Sequence, residues 1–148
     1  MAEPPPTKRR YPLDGVASIE YARDAKGRYL AEEWLSSLEK EIGKKEASKV
    51  RAKFKALFAQ MAANGEIPND SRFSNERGDI YGFKYEYKKR LYRIACFQDG
   101  DVWVLTHGFV KPGAQKGKGK WPTTELDRAD RIQKEHLDAF SKEERDQK

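Results

Sequence analysis

A chain of 148 residues amounts to one domain. With 37% hydrophobic against 36% charged residues it has a small core and a heavily charged surface, and no apolar run reaches the ~18 residues of a membrane helix. The net charge of +6 is local: Ile80 to Trp121 holds nine Lys or Arg against three acidic residues, which is the whole excess. Clustering of this kind points to a polyanionic partner, nucleic acid or an acidic protein. Met1 to Arg10 lacks the apolar stretch of a secretory signal. One cysteine, Cys96, and two histidines exclude an internal disulfide and a cysteine-rich zinc site. These features lead to the expectation of a cytoplasmic protein with no membrane partner.

In chain order, residues 1–12 read as a disordered tail, Pro-rich and then basic at Lys8, Arg9 and Arg10. Val16 to Ala22 reads as a first strand. Leu30, Trp34, Leu35, Leu38 and Ile42 share one helical face, and Gly43 stops that helix. Glu46 to Ala63 forms a second helix on Val50, Phe54, Leu57, Phe58 and Met61, closed by Asn64-Gly65. Glu66 to Asp79 reads as loop.

The period then becomes two. Ile80 to Tyr87 alternates Tyr81, Phe83, Tyr85 and Tyr87 against Lys84 and Glu86. Leu91 to Phe97 follows a Lys88-Lys89-Arg90 turn, and Val102 to Gly108 follows an Asp99-Gly100 hairpin signal. Lys111 to Lys120 is a lysine- and glycine-rich loop. A last helix opens near Thr124, with Asp127 completing a capping box, and residues 141–148 read as a polar tail. The fold class is therefore α+β. A small antiparallel sheet, made of the first strand and a three-stranded meander, packs against an N-terminal helix pair, with a C-terminal helix, in a single domain over residues 13–140.

Phosphate-loop and dinucleotide fingerprints are absent, and no His/Cys cluster has metal spacing. No metal or cofactor is expected. What remains is a basic, aromatic sheet. Lys84 projects opposite to Phe83 and Tyr85. Arg93 lies inside a strand, where a guanidinium needs an anion: either a structural partner such as Glu86 or the phosphate of a ligand. Lys88, Lys89, Arg90, Lys118 and Lys120 are candidates to contact an RNA backbone, with Tyr85 and Phe109 as stacking surfaces.

The stretch YGFKYEYKKRLYRIACF, then VWVLTHGFVK, a lysine-rich loop, Pro122 and the helix with Ala129 and Arg131 resemble the phage-type HigB toxins of the RelE/ParE superfamily. The resemblance runs from about Val16 to Leu137. It implies a type II toxin–antitoxin toxin that inhibits translation by cleaving mRNA on the ribosome, without a metal. A small helix-turn-helix antitoxin is the implied partner. By position it implies catalytic roles for Lys84, Arg93, Lys111 and Lys116. RNA would be cut by attack of its 2′-OH on the adjacent phosphate, with Lys84 or Glu86 as proton acceptor. The chain departs from the family pattern where Pro112 follows Lys111 and a GKGKG-like run precedes Pro122. A non-catalytic binder of RNA or acidic protein, and a ParE-like gyrase inhibitor, are the alternatives on the same fold.

Overall fold

The computed structural model describes residues 16–112 and 121–146. Its elements are β1 (Ser18–Tyr21), α1 (Leu30–Ile42), α2 (Lys44–Asn64), β2 (Phe73–Arg77), β3 (Ile80–Tyr87), β4 (Arg90–Asp99), β5 (Val102–Pro112) and α3 (Thr123–Asp146). The architecture is the expected α+β. The expected tail over residues 1–12 lies outside the described residues.

The strands form one mixed sheet in the order β1-β5-β4-β3-β2. β3, β4 and β5 make the antiparallel meander, but β1 joins the β5 edge in parallel, so the sheet is not antiparallel throughout as the sequence suggests: α1, α2 and the rest of the chain between β1 and β5 form the long crossover that a parallel neighbour needs. The opposite edge is β2, antiparallel to β3, where the sequence reads as loop. FSNER offers one buried apolar residue, Phe73, so it shows no apolar alternation. The strand exists because an adjacent hairpin partner supplies the backbone hydrogen bonds.

Gly43 alone separates α1 from α2. Its φ of 88° is open to glycine at little steric cost. α2 ends at Gly65, in the left-handed conformation, whose N–H bonds to the Met61 carbonyl at 2.7 Å. The helix pair covers one sheet face, with Phe54, Phe58 and Met61 packed on Phe83, Ile94, Trp103 and Leu105. Each such buried side chain contributes roughly 1.5–3 kcal/mol.

The second face is covered as well. Leu126, Ala129 and Ile132 of α3 pack with Trp121 on Ile80, Ala95, Phe97 and Val104. The sheet is thus the middle of three layers, not a sheet with one covered face. β4 shows this directly, since Leu91 through Phe97 are all buried. Cys96 is fully buried, and burial raises its thiol well above the ordinary value, which keeps it in the unreactive form.

α3 begins at Thr123, one residue before the expected cap. The N–H groups of Glu125 and Leu126 bond to the Pro122 carbonyl, so Thr124 sits inside the first turn. The helix also continues to Asp146, through most of the stretch read as a polar tail. Two polar contacts anchor it. Arg77 of β2 reaches Asp127 at 2.9 Å and Asp130 at 2.5 Å. His136, buried against β1, accepts the Arg23 N–H at Nδ1 (2.9 Å), so its proton resides on Nε2, which donates to the buried Glu20 carboxylate at 3.1 Å.

The β3–β4 turn has a positive φ at both central residues, Lys88 (52°) and Lys89 (63°). That is the geometry of a tight hairpin normally built from Asn and Gly, and each lysine there costs about 1 kcal/mol. Replacing Lys89 alone with Gly, which leaves the Lys88–Glu46 pair in place, is expected to raise unfolding free energy by up to about 1 kcal/mol in urea titration. The same change removes one of the cations expected to contact RNA, so stability and nucleic-acid affinity should move in opposite directions.

Candidate functional site

Register places the cations together. Lys84 of β3 lies directly across from Arg93 of β4, which lies across from Phe109 of β5. One step along, Glu86, Leu91 and Lys111 form the neighbouring row. Residues opposite each other in adjacent strands share a face, here the face that α3 covers further along the sheet.

Lys111 reaches that face only because of a bulge. Cys96 pairs with Leu105 and Ala95 with His107, leaving Thr106 as the extra residue in β5. Strict alternation from Val102 and Val104, which pack under α3, would put Thr106, Gly108 and Val110 on the α3 side. The extra residue reverses the phase, so His107, Phe109 and Lys111 face that side. Gly108 points to the helix pair, where a Cβ would lie 2.1 Å from the Trp34 ring.

A second bulge acts on β2. Asn75 pairs with Tyr81 and Arg77 with Ile80, so Glu76 is the unpaired extra residue. Its carboxylate approaches Lys84 Nζ at 3.7 Å and is 7% exposed, against 20% for the lysine. Lys84 Nζ donates to Ser74 Oγ at 2.6 Å, and the Ser74 hydroxyl donates to Glu76 Oε2 at 2.7 Å.

Arg93 is 2% exposed, with its guanidinium 5.3 Å from the centre of the Trp121 ring, a cation–π distance. The ring lies on Gly82, where a Cβ would sit 2.1 Å from it, and meets Phe109 edge-on at 5.0 Å. Burial lowers the Arg93 pKa from its ordinary value, and the charge of Glu76 opposes that shift. The carboxylate whose charge acts on Arg93 is that of Glu76, whereas the sequence offers Glu86 as one structural alternative to a bound phosphate. Glu86 lies across from Leu91 and is exposed. Ser71, Lys84, Tyr85, Glu86, Leu91, Tyr92 and Arg93 line a cavity of about 200 Å³ at this end of the sheet. A larger cleft of about 660 Å³ lies on the helix-pair side, lined by Tyr21, Leu35, Arg51, Lys55 and Phe58, away from the Lys84–Arg93 pair.

The other expected contacts divide. Lys88, Lys89 and Arg90 are exposed at the turn, where they line a shallow opening with Val110. Lys88 also bonds Glu46 of α2 at 2.8 Å. Phe109 stands beside Arg93 but is 9% exposed, wedged between Trp121 and His107. Tyr85 lies on the opposite face, edge-on to Phe54 and stacked on Tyr87. Lys116, Lys118 and Lys120 lie outside the described residues. Among the described residues, no group of three or more His, Cys, Asp or Glu side chains is placed to hold a metal ion, and no helix is long and apolar enough to cross a membrane.

Both histidines have carboxylate partners that sequence spacing did not reveal. His107 Nε2 lies 2.9 Å from Glu125 Oε1, across the sheet–α3 interface. Burial lowers the His107 pKa from its ordinary 6.5, with the Glu125 bond opposing. The His107 bond in turn lowers the Glu125 pKa from 4.5. The signs agree. Below pH 6.5 the unfolded histidine takes up a proton that the folded one resists, and below 4.5 the unfolded carboxylate does the same. Stability should therefore hold above pH 7 and fall on acidification from 6.5, by at most about 1.4 kcal/mol per pH unit for each group. Thermal melts against pH check this, and His107→Gln should flatten the part of the fall that begins at pH 6.5.

The domain is thus a three-layer α+β fold in which Lys84 and Arg93 lie across from each other on adjacent strands, beside the Trp121 and Phe109 rings. The chain matches the family described as Phage derived protein Gp49-like (DUF891) over residues 33–134. It belongs to that family, which is associated with the toxins of toxin–antitoxin systems. No curated protein and no solved structure matches the chain.

Proposed function

We propose that this protein is the toxin of a type II toxin–antitoxin pair and a HigB-like, metal-independent endoribonuclease. It would act on mRNA in the ribosome and be neutralised by a small helix-turn-helix antitoxin. The observation that carries the reading is the cross-strand Lys84–Arg93 pair, with Lys111 brought to the same face by the Thr106 bulge. Two fixed cations suit a phosphate whose charge grows as a 2′-OH attacks it. Arg93 offers the planar fork that fits phosphate oxygens. Lys111 would bind the flanking backbone. Glu86, or Lys84 in its neutral amine form, would accept the 2′-OH proton as the 2′ oxygen bonds to phosphorus, and the bond from phosphorus to the 5′ oxygen would break with a proton passing to that oxygen from Lys116 or a tyrosine. Family membership supports a toxin with an antitoxin partner.

The burial of Arg93 under Trp121 favours a second reading, in which the same surface binds RNA or an acidic protein without cleaving it. Induced expression separates the readings. The endonuclease reading expects growth arrest with loss of protein synthesis and fragmented mRNA. Arrest with intact mRNA and a DNA-damage response would indicate gyrase poisoning. Unimpaired growth and synthesis would reject the toxin reading.

A further inference from the structure

We infer that Ser74 and Glu76 are positioning residues for Lys84, a role that rests on the endonuclease reading proposed above. Glu76 lies two residues beyond Ser74 on β2 and so shares its face with Lys84, while the bulge leaves Glu76 without a partner on β3 and brings Arg77 to the same side. Ser74 lies across from Gly82, two residues from Lys84 on the same face.

The three side chains form a directed chain. The ammonium donates to the serine oxygen at 2.6 Å, and the serine hydroxyl donates to the carboxylate at 2.7 Å. A lysine on a four-carbon stem is otherwise a mobile point charge. One of its three N–H donors is committed here, which leaves two for a ligand in the cavity shared with Arg93. Glu76 is nearly buried and lies behind Lys84 rather than in the lining of that cavity. It therefore acts through the lysine. Its charge also opposes the burial effect on Arg93, so one carboxylate serves both cations.

The test uses the full chain with Ser74→Ala, Ser74→Thr, Glu76→Gln and, as a control on the exposed loop, Glu66→Gln. The first readout needs no activity: the rate at which acetic anhydride modifies Lys84, followed by peptide mass spectrometry, with thermal melts to verify folding. Ser74→Ala and Glu76→Gln should each raise Lys84 modification several-fold, while Ser74→Thr and Glu66→Gln leave it at the wild-type rate. Equal rates in all folded variants would overturn the assignment.

The second readout is mRNA cleavage in a translation extract. Ser74→Ala should slow cleavage about tenfold at unchanged half-saturation by ribosomes, with Thr restoring it. Unaltered cleavage in Ser74→Ala and Glu76→Gln, with Lys84 freed, would show that positioning is irrelevant to turnover and overturn the role. An absence of cleavage by the wild type would overturn the endonuclease reading and the role that rests on it, while the labelling still judges the side-chain arrangement.

Discussion

Arg93→Lys should abolish the growth arrest caused by induced expression while leaving a folded protein. Lysine keeps the charge but loses the planar fork and the guanidinium's place 5.3 Å from the centre of the Trp121 ring. Loss of one group that stabilises a developing charge costs about 10²–10³ in rate, enough to remove a toxic phenotype. Arg93→Ala should do the same and also destabilise the fold. The side chain is 2% exposed, so its removal leaves a cavity and a Glu76 carboxylate with less compensating charge. Truncating a large buried side chain costs about 2–5 kcal/mol. Alanine alone therefore cannot separate catalysis from folding; lysine, with a urea titration alongside, does. Persistent toxicity in a folded Arg93→Lys protein would show that the guanidinium is not the working group.

Gly82→Ala should unseat Trp121. A Cβ at this position would lie 2.1 and 2.3 Å from two ring carbons, and a flat indole wedged against Phe109 and α3 has no small movement that relieves both. The expected cost is about 1–3 kcal/mol, with a red shift of Trp121 emission identified by difference against Trp121→Phe. Adding Trp121→Ala removes the clash, so the two changes should be strongly non-additive in stability. The orientation of Arg93 depends on the ring above it, so Gly82→Ala should also reduce toxicity. Unchanged emission and stability would mean that the indole does not rest on Gly82.

Period and turn chemistry carried much of this architecture into view. The alternation in Ile80 to Tyr87 put Lys84 opposite Phe83 and Tyr85, and the sheet keeps that phase. Gly43 and Gly65 end helices where a positive φ is needed. The failures have a common cause. A bulge changes phase through one unpaired residue, and neither Glu76 nor Thr106 differs locally from its neighbours. Phe73–Arg77 is a strand by virtue of its partner rather than its composition. Nothing in the residues around Trp121 marks its role, and only its seat on Gly82 and its place over the guanidinium show that it covers Arg93. The His107–Glu125 and His136–Glu20 pairs join elements 18 and 116 residues apart, beyond any local spacing rule. Arg93 itself was legible, because a charge inside LYRIACF is anomalous.

The central claim is that the Lys84–Arg93 surface cleaves mRNA during translation. Primer extension on a defined mRNA in a translation extract tests it most directly. The account predicts new 5′ ends within the translated region, present only with ribosomes and wild-type protein, and lost with Arg93→Lys. Intact message in an extract whose protein synthesis has stopped would contradict it.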